Sequence, residues 1–262
     1  MNILAIGDLV GDPGVKKLEN SINRLKEEEK IDFTVVNAEN AADGSGITIN
    51  ILERLKNIGI NAITMGNHTW GKKEIFKIID DPILIRPANY SKGVVGHGYY
   101  TFKCNLLNGG IKNICVINLI GRVAINVNSE NPFTRFDEIY EEVKNKVDII
   151  IVDFHAEATA EKIAMCKYID GKATMLFGTH THVVTADEMI TEKKMAYITD
   201  IGMTGPINSV LGMDPDVAIK RFVTSIPESY KVATGPSMLN GIIVNIDEKT
   251  NKAIAIKRIC LR

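Results

Sequence analysis

In the first half of the chain, short apolar runs alternate with longer segments in which apolar residues recur every three or four positions. Residues 3–6, 33–36 and 62–65 have the pattern of strands, and residues 13–29 and 47–58 between them have the pattern of helices. Helices of this length between strands favour a parallel sheet with right-handed crossovers. The chain is therefore expected to fold as an α/β protein.

The middle and the end of the chain are richer in strand patterns. Residues 99–105 and 111–118 flank Asn108-Gly109-Gly110, a strong hairpin signal, and residues 148–154 form a nearly continuous apolar run of the kind that is buried on both faces. The remaining patterns predict strands at 173–177, 196–199, 230–233, 241–246 and 253–259, and helices at 72–79, 132–146, 157–168 and 215–223. Since no linker or repeat is evident, the simplest architecture is one α/β domain over residues 1–262, in which two β-rich halves pack as layers.

Composition excludes several classes of function. The hydrophobic content of 45% and charged content of 24% are ordinary for a globular protein, and the net charge of −1 argues against a broad basic surface for long nucleic acid. No apolar run approaches the ~20 residues that cross a bilayer, and the N-terminus lacks a signal-peptide pattern, so a cytoplasmic protein is expected. The four cysteines show no CxxC spacing, which predicts buried, reduced thiols.

Polar side chains that can bind metals follow five of the predicted strands. In an open α/β sheet, ligands bind beyond the carboxyl ends of the strands, so these side chains are expected to lie on one rim. Carboxylate, amide and imidazole groups together suit first-row transition metals. The five segments are Gly7-Asp8, Asn37-Ala-Glu39-Asn40, Gly66-Asn67-His68, His155 and Gly178-Thr-His180-Thr-His182. The candidate metal ligands in them are Asp8, Glu39, Asn40, Asn67, His155, His180 and His182.

This number of ligands exceeds what one catalytic metal with an open position needs. It suits two metals ~3.5–4 Å apart that share a carboxylate, as in many phosphatases and nucleases. Two divalent ions against two carboxylates would leave a positive site that favours a phosphate group. Taken singly, Asp8 could cap a helix, Asn40 and Asn67 could be turn residues, and His155 could be structural, so the prediction rests on their joint placement.

The ordered series of motifs resembles the calcineurin-like metallophosphoesterases, whose pattern is a GD motif, a second acidic motif, a GNH motif, a lone histidine and a GHxH motif. The stretches 65–70, 86–89, 153–159 and 198–205 are similar to those of the YmdB-type branch, bacterial phosphodiesterases that act on 2′,3′-cyclic nucleotides. The resemblance implies a layered αββα sandwich of two mixed β-sheets flanked by helices. It also implies an enzyme, a metal-dependent phosphoric diester hydrolase.

Three positions depart from the wider superfamily and match the YmdB-type pattern. Val10 stands where the usual D-x-H motif has its histidine, Glu39 replaces the usual bridging aspartate, and Thr69 stands where many members carry an acid. The neighbouring Asn40 could occupy the place left by the missing histidine. Because ligand type helps to set metal identity, iron is expected first and manganese is the alternative.

The resemblance also implies a division of ligands, with Asp8, Glu39, Asn40 and His182 on one metal and Glu39, Asn67, His155 and His180 on the other. A metal-bridging hydroxide would attack phosphorus, and His68 would protonate the departing ribose oxygen to leave a 3′-nucleotide. A phosphomonoesterase, a 3′,5′-cyclic-nucleotide phosphodiesterase and a metal-stabilised regulatory binding protein stay open as alternatives. The expected partner is a small nucleotide phosphodiester rather than long nucleic acid or a membrane, and a homo-oligomer is expected.

Three residues outside the ligand set are also interpreted from the sequence, and two of them have competing interpretations. Arg86 could meet a phosphate or form a structural salt bridge, and the salt bridge is preferred. Trp70 could stack on a base or pack between elements, and packing is preferred. His97 lies in a glycine-rich stretch and is expected to have no chemical role.

Overall fold

The computed structural model describes all 262 residues and contains two mixed β-sheets that lie face to face with helices outside them. The predicted αββα sandwich is confirmed. No helix in it has both the length and the apolar character needed to cross a membrane. In chain order the elements are β1 (Asn2–Ile6), β2 (Asp8–Leu9), α1 (Gly11–Glu29), β3 (Phe33–Asn37), α2 (Ile49–Asn57), β4 (Ala62–Thr64), a 3-10 helix (Lys73–Lys77), β5 (Leu84–Ile85), β6 (Tyr99–Asn105), β7 (Ile111–Ile120), α3 (Pro132–Val143), β8 (Ile149–His155), α4 (Thr159–Ile169), β9 (Met175–Thr179), β10 (Met189–Ile190), β11 (Ala196–Ile198), β12 (Met203–Pro206), α5 (Pro215–Thr224), β13 (Ser237–Asp247) and β14 (Lys252–Leu261).

The two sheets each have a parallel centre. In the first sheet the order is β2-β12-β13-β1-β3-β4-β5, with β14 paired to β13, and β1, β3, β4 and β5 run parallel. In the second sheet the order is β10-β11-β9-β8-β7-β6, and β7, β8, β9 and β11 run parallel. The parallel strands bring their carboxyl ends to one edge of each sheet.

Strand periodicity explains why the central strands are apolar on both faces. In β1, Ile3 and Ala5 face the core between the two sheets, while Leu4 and Ile6 face the core under α1 and α2. The apolar stripe of α1 covers that outer face with Val15, Leu18, Ile22 and Leu25, all buried. The second sheet is covered in the same way by α3 and α4. Successive side chains of a strand point to opposite faces, so a strand in the middle layer must be apolar throughout.

A buried carboxylate joins the two sheets near their carboxyl ends. Asp153 on β8 is fully buried, and its side chain accepts hydrogen bonds from Asn37 Nδ2 at 3.0 Å and from Thr64 Oγ1, both in the first sheet. Within its own sheet it accepts from Thr179 Oγ1 at 2.7 Å. A buried charge is tolerated only where such partners satisfy it. These bonds therefore fix the position of one sheet edge relative to the other.

The strand predicted at 230–233 is wrong. In this segment Val232 makes a single bridge to Met213, and Tyr230 is exposed. Its β-branched and aromatic residues suit a strand, but no neighbouring strand is available to complete a ladder.

The expectation of buried thiols holds for Cys104, Cys115 and Cys166, whereas Cys260 on the edge strand β14 is exposed.

A buried ion pair links α4 to the second sheet. Lys162 on α4 and Asp200, just after β11, are both 1% exposed, and Lys162 Nζ lies 2.7 Å from Asp200 Oδ2. Asp200 also accepts from the backbone N–H and the hydroxyl of Thr181, at 3.2 and 2.8 Å. The pair therefore connects α4 to the loop after β9.

We expect the substitution Lys162→Met to lower the free energy of unfolding by about 3–5 kcal/mol, because it leaves Asp200 charged and unpaired in the interior. The same substitution at Lys167, which is exposed on the same helix, should change stability by less than about 0.5 kcal/mol. Chemical denaturation of both variants measures the difference. Equal stabilities for the two variants would contradict the assigned role of the pair.

Candidate metal centre

The predicted ligand segments meet at one edge of the sandwich. Each begins at or directly beyond the carboxyl end of a strand. Asp8 follows β1, the Glu39 segment follows β3, and the Asn67 segment follows β4. His155 is the last residue of β8, and the segment with His180 and His182 follows β9. A cleft of about 720 Å³ opens there. Its inner end is lined by Glu39, Asn40, His68, His180 and His182.

One group of ligand atoms gathers around Asp8. Asp8 is fully buried, and its Oδ1 has no hydrogen-bond partner, while its Oδ2 accepts from the His180 N–H at 3.2 Å. His182 Nε2 lies 3.9 Å from Asp8 Oδ1 and 3.1 Å from Asn40 Nδ2. Burial raises the pKa of Asp8 to about 6, although the charges of His182 and His155 act against that rise.

A second group gathers around His155. Its Nε2 lies 3.1 Å from Glu39 Oε1, 2.9 Å from Asn67 Oδ1 and 3.0 Å from His180 Nδ1. Ligand atoms of Glu39, His155 and His180 all lie within 4.8 Å of one another. Burial favours the neutral form of His155, but the Glu39 carboxylate outweighs it and raises the pKa to about 9. Burial and the neighbouring His155 charge lower the pKa of His180 to about 3.

Glu39 contacts both groups. Its Oε1 accepts from Asn40 Nδ2 at 3.2 Å on the Asp8 side and lies beside His155 on the other. Its Oε2 accepts from the backbone N–H of His68 at 2.9 Å. Burial disfavours the ionised carboxylate, but the charge and hydrogen bond of His155 lower its pKa to about 2. Glu39 is therefore the carboxylate that the two groups share.

In His155, His180 and His182, the ring nitrogen that points away from the other predicted ligands, here called the outer nitrogen, is bonded to a neighbour. His155 Nδ1 lies 2.9 Å from Thr179 Oγ1, and Thr179 gives its own proton to Asp153, so His155 Nδ1 must be the donor. His182 Nδ1 donates to the Leu211 carbonyl at 3.0 Å. His180 Nε2 lies 3.1 Å from Glu157 Oε2. A ring held in this way presents an unprotonated inner nitrogen once it is neutral, which is the arrangement of metal-bound histidines.

The donor set fits divalent transition metals. His155 Nε2 and His180 Nδ1 are 3.0 Å apart, and two lone pairs at that distance require a proton or a cation between them. A Cβ on Gly66 would lie 2.4 Å from Glu39 Oε2 and from His155 Nε2, so glycine at this position leaves the room that the donors occupy. The unpartnered Asp8 Oδ1 is a further free anionic donor. Asn40 presents its amide nitrogen to the site and would ligate through Oδ1 after a rotation of the amide by 180°.

The loop after β9 carries backbone strain. His180 and His182 both have positive φ, at 97° and 65°, a region that residues other than glycine rarely adopt. Between them, the N–H and hydroxyl of Thr181 bond Asp200 Oδ2. Strain of this kind costs on the order of 1–3 kcal/mol per residue and persists where neighbouring contacts enforce it. The loop is therefore shaped to aim two imidazoles inward.

His68 lies in the cleft wall, with Nδ1 3.2 Å from Ser45 Oγ, and its Nε2 has no partner in the protein.

Trp70 stacks on Phe76 and lies outside the cleft lining, in agreement with a packing role. The salt bridge preferred for Arg86 is wrong. Its guanidinium donates instead to the carbonyls of residues 87, 94, 95 and 96, so this buried side chain holds the loop that follows it.

Sequence reasoning missed the residues that orient the ligands. Thr179 and Asp153 were visible only as parts of motifs, and Glu157 lies in the stretch that follows His155. The Leu211 carbonyl has no sequence signal, since it is a backbone atom in a loop outside every ligand motif. A hydroxyl one residue before a predicted ligand and a carboxylate two residues before another are the patterns that would have pointed to Thr179 and Asp153.

Fold and site together define a metallophosphoesterase-type protein. The chain belongs to the YmdB-like family, whose model, described as YmdB-like protein, matches residues 4–259. This membership confirms the resemblance that the motifs indicate.

Three relatives agree with the assignment. A Bacillus subtilis (strain 168) protein named 2′,3′-cyclic-nucleotide 2′-phosphodiesterase is 48% identical over 262 residues, which cover 100% of this chain and 97% of that protein. A crystal structure of a Mycoplasma pneumoniae protein described as a novel phosphatase superposes with a TM-score of 0.92 at 37% identity, covering 100% of this chain and 93% of that one. A hypothetical protein from Thermus thermophilus gives a TM-score of 0.91 at 30% identity, covering 99% of this chain and 98% of that one.

We expect Asp153→Asn to weaken metal binding about 10–100-fold, the usual effect of losing a residue that orients a ligand. The amide oxygen can serve Asn37 and Thr64, which turns the new NH₂ toward Thr179. The Thr179 hydroxyl would then donate to His155 Nδ1 and place the imidazole proton on Nε2, the nitrogen that faces Glu39. Elemental analysis after dialysis against graded chelator measures the change.

Asp216→Asn is the control for this substitution, since Asp216 is exposed on α5 and contacts no ligand residue. Circular dichroism establishes that both variants are folded. If Asp153→Asn kept its metal at the same chelator concentration as the control, the orientation of His155 through Thr179 would not govern metal binding.

Proposed function

We propose that this protein is a metal-dependent phosphodiesterase that hydrolyses 2′,3′-cyclic nucleotides to 3′-nucleotides. The observation that carries the proposal is the pair of ligand groups around Asp8 and His155 that share Glu39, with His68 bonded to the same carboxylate. Family membership and the name of the Bacillus subtilis relative support the reaction class. We infer the nucleotide substrate from that name together with the dimensions of the cleft.

The proposed division of ligands follows the two groups in the site. One metal would take Asp8, Asn40 and His182, the other would take Asn67, His155 and His180, and Glu39 would serve both. Two bound ions would lower the pKa of a shared water and stabilise negative charge on the phosphoryl oxygens. Nitrogen donors together with carboxylates suit iron, and manganese is the alternative.

His68 is the proposed general acid. Its backbone N–H is held by Glu39 Oε2 and its Nδ1 by Ser45 Oγ, so the backbone and the ring of His68 are each fixed by one contact. The unpartnered Nε2 is the atom that would carry the proton to the leaving ribose oxygen. Loss of the 2′ oxygen from phosphorus then leaves the phosphate on the 3′ oxygen. A general acid matters most when the leaving group is a poor one, as an alkoxide is.

Substrate comparison separates this proposal from a phosphomonoesterase and from a 3′,5′-cyclic-nucleotide phosphodiesterase. We expect the purified, metal-loaded protein to convert 2′,3′-cAMP to 3′-AMP and to act far more slowly on 3′,5′-cAMP and on 3′-AMP itself. Chromatography that resolves 2′-AMP from 3′-AMP reads the product. Release of 2′-AMP would reverse the assigned leaving group, and faster hydrolysis of either other substrate would replace the proposal.

We expect His68→Ala to lower kcat on 2′,3′-cAMP by about 10²–10⁴-fold while metal content stays at the wild-type level, because the proton donor is lost and no metal ligand is removed. The loss should be smaller on bis(p-nitrophenyl) phosphate, whose leaving group departs without a proton. His97→Ala is the matched control, since the His97 ring hydrogen-bonds only the Asp80 carbonyl and packs on Tyr100, outside the cleft lining. An equal loss on both substrates would remove His68 from the acid role.

A further inference from the structure

The cleft that holds the metal-ligand groups has a second end with different chemistry. We call its apolar lining the outer wall, formed by Leu211, Phe222, Ile226 and Tyr230, all of which are exposed. Phe222 alone is 83% exposed. Exposed apolar side chains that are contiguous and continuous with a polar site mark a ligand-binding surface. The outer wall could therefore bind a flat or apolar part of a small molecule beside the predicted metal-ligand groups.

The cleft lining contains one cation without an acidic partner. Arg221 is the only lysine or arginine in the cleft lining, and no carboxylate lies within ion-pair distance of it. Its Nη1 contacts only the sulfur of Met213 among side chains, at 3.8 Å. A ligand that has an anionic group at one end and an apolar group at the other matches this combination. A nucleotide has those properties, since its phosphate is charged and its base is planar.

The outer wall is held at a fixed distance from the ligand groups. The Leu211 carbonyl accepts from His182 Nδ1 at 3.0 Å and from the Tyr230 hydroxyl at 3.5 Å, so one backbone atom joins the wall to a predicted ligand. Tyr230 also packs against Gly44, where a Cβ would lie 2.2 Å from the Tyr230 ring. Gly44 lies in the loop that carries Glu39 and Asn40. A base on the wall and a phosphate at the inner end can therefore bind together.

Apart from the Arg221 guanidinium, the outer wall has few groups that could read the edge of a base. The Tyr230 hydroxyl is bonded to Leu211, and Ser225 is the only other hydroxyl in this part of the lining. Stacking on an aromatic side chain tolerates every base, because each base has a π-face. Specificity for one base would require convergent donors and acceptors.

We propose that the outer wall is the base subsite of this phosphodiesterase, where Phe222 stacks on the nucleobase of a 2′,3′-cyclic nucleotide without selecting among the four bases. This inference rests on the proposed function and names its substrate class more narrowly. It implies that kcat/KM varies by less than about tenfold among 2′,3′-cAMP, cGMP, cCMP and cUMP, since stacking energies differ little between bases.

The test compares Phe222→Ala with Val223→Ala on a nucleotide and on its base-free analogue. Val223 is the adjacent residue, is 77% exposed, and does not line the cleft. We expect Phe222→Ala to raise KM for 2′,3′-cAMP about five- to hundredfold with little change in kcat, because base stacking contributes binding energy of that size. Hydrolysis of methyl riboside 2,3-cyclic phosphate, which lacks the base, should be unchanged, and Val223→Ala should match wild type on both substrates.

Adenosine binding keeps this inference separate from the proposed reaction. Calorimetry with adenosine, which has no phosphate, should detect binding to wild type and to Val223→Ala and a loss of it in Phe222→Ala. Unchanged KM and unchanged adenosine binding would overturn the base subsite even if 2′,3′-cAMP is hydrolysed. Equal losses on the nucleotide and the base-free analogue would also overturn it, because Phe222 would then shape the cleft rather than bind the base. Adenosine binding that depends on Phe222 in a protein without activity on 2′,3′-cAMP would overturn the proposed function alone.

Discussion

The buried carboxylate of Asp153 accepts hydrogen bonds from β3, β4 and β9 at the edge where the two sheets meet. These strands are the ones that precede the Glu39, Asn67 and His180 segments. A carboxylate that has been removed from water requires these donors, so the sheets cannot slide past one another without leaving it unsatisfied. Burial accordingly raises the pKa of Asp153, while Thr64, Thr179 and Asn37 act against that rise. The geometry of the ligand edge depends on this one group.

The cleft combines a rigid inner end with an exposed outer one. At the inner end, each histidine is fixed by a neighbour on its outer nitrogen, and the loop between His180 and His182 is held in a strained conformation by Asp200. Such fixation suits a site that must present several donors to one small volume. At the outer end, Phe222 is exposed and has no comparable anchor. A phosphodiester has a reacting centre of fixed geometry and a variable substituent, and in the proposed function the inner end would bind the first and the outer end the second.

Much of the architecture, and the meeting of the predicted ligand segments at one edge, could be predicted because both follow from local patterns. A strand that is apolar on both faces and ends in a polar residue is visible in the sequence, and β3 with Asn37-Ala-Glu39-Asn40 is an example. The contacts that orient the ligands could not be predicted, because they join distant residues. Asp153 and Asn37 are 116 positions apart, and the Leu211 carbonyl that meets His182 carries no side-chain signal. The segment 230–233 has strand composition, but it packs on a loop because no partner strand lies beside it.

Val10 shows how a departure from the superfamily pattern is built into the fold. It occupies the position of the histidine in the usual D-x-H motif, and it is fully buried. A Cβ on Gly212 would lie 2.4 Å from Val10 Cγ1, so Val10 packs directly under the loop that contains the Leu211 carbonyl. That carbonyl accepts from His182 Nδ1. An apolar side chain at this position thus supports the loop that orients His182, a predicted ligand, and a bulkier imidazole at position 10 would require this loop to move.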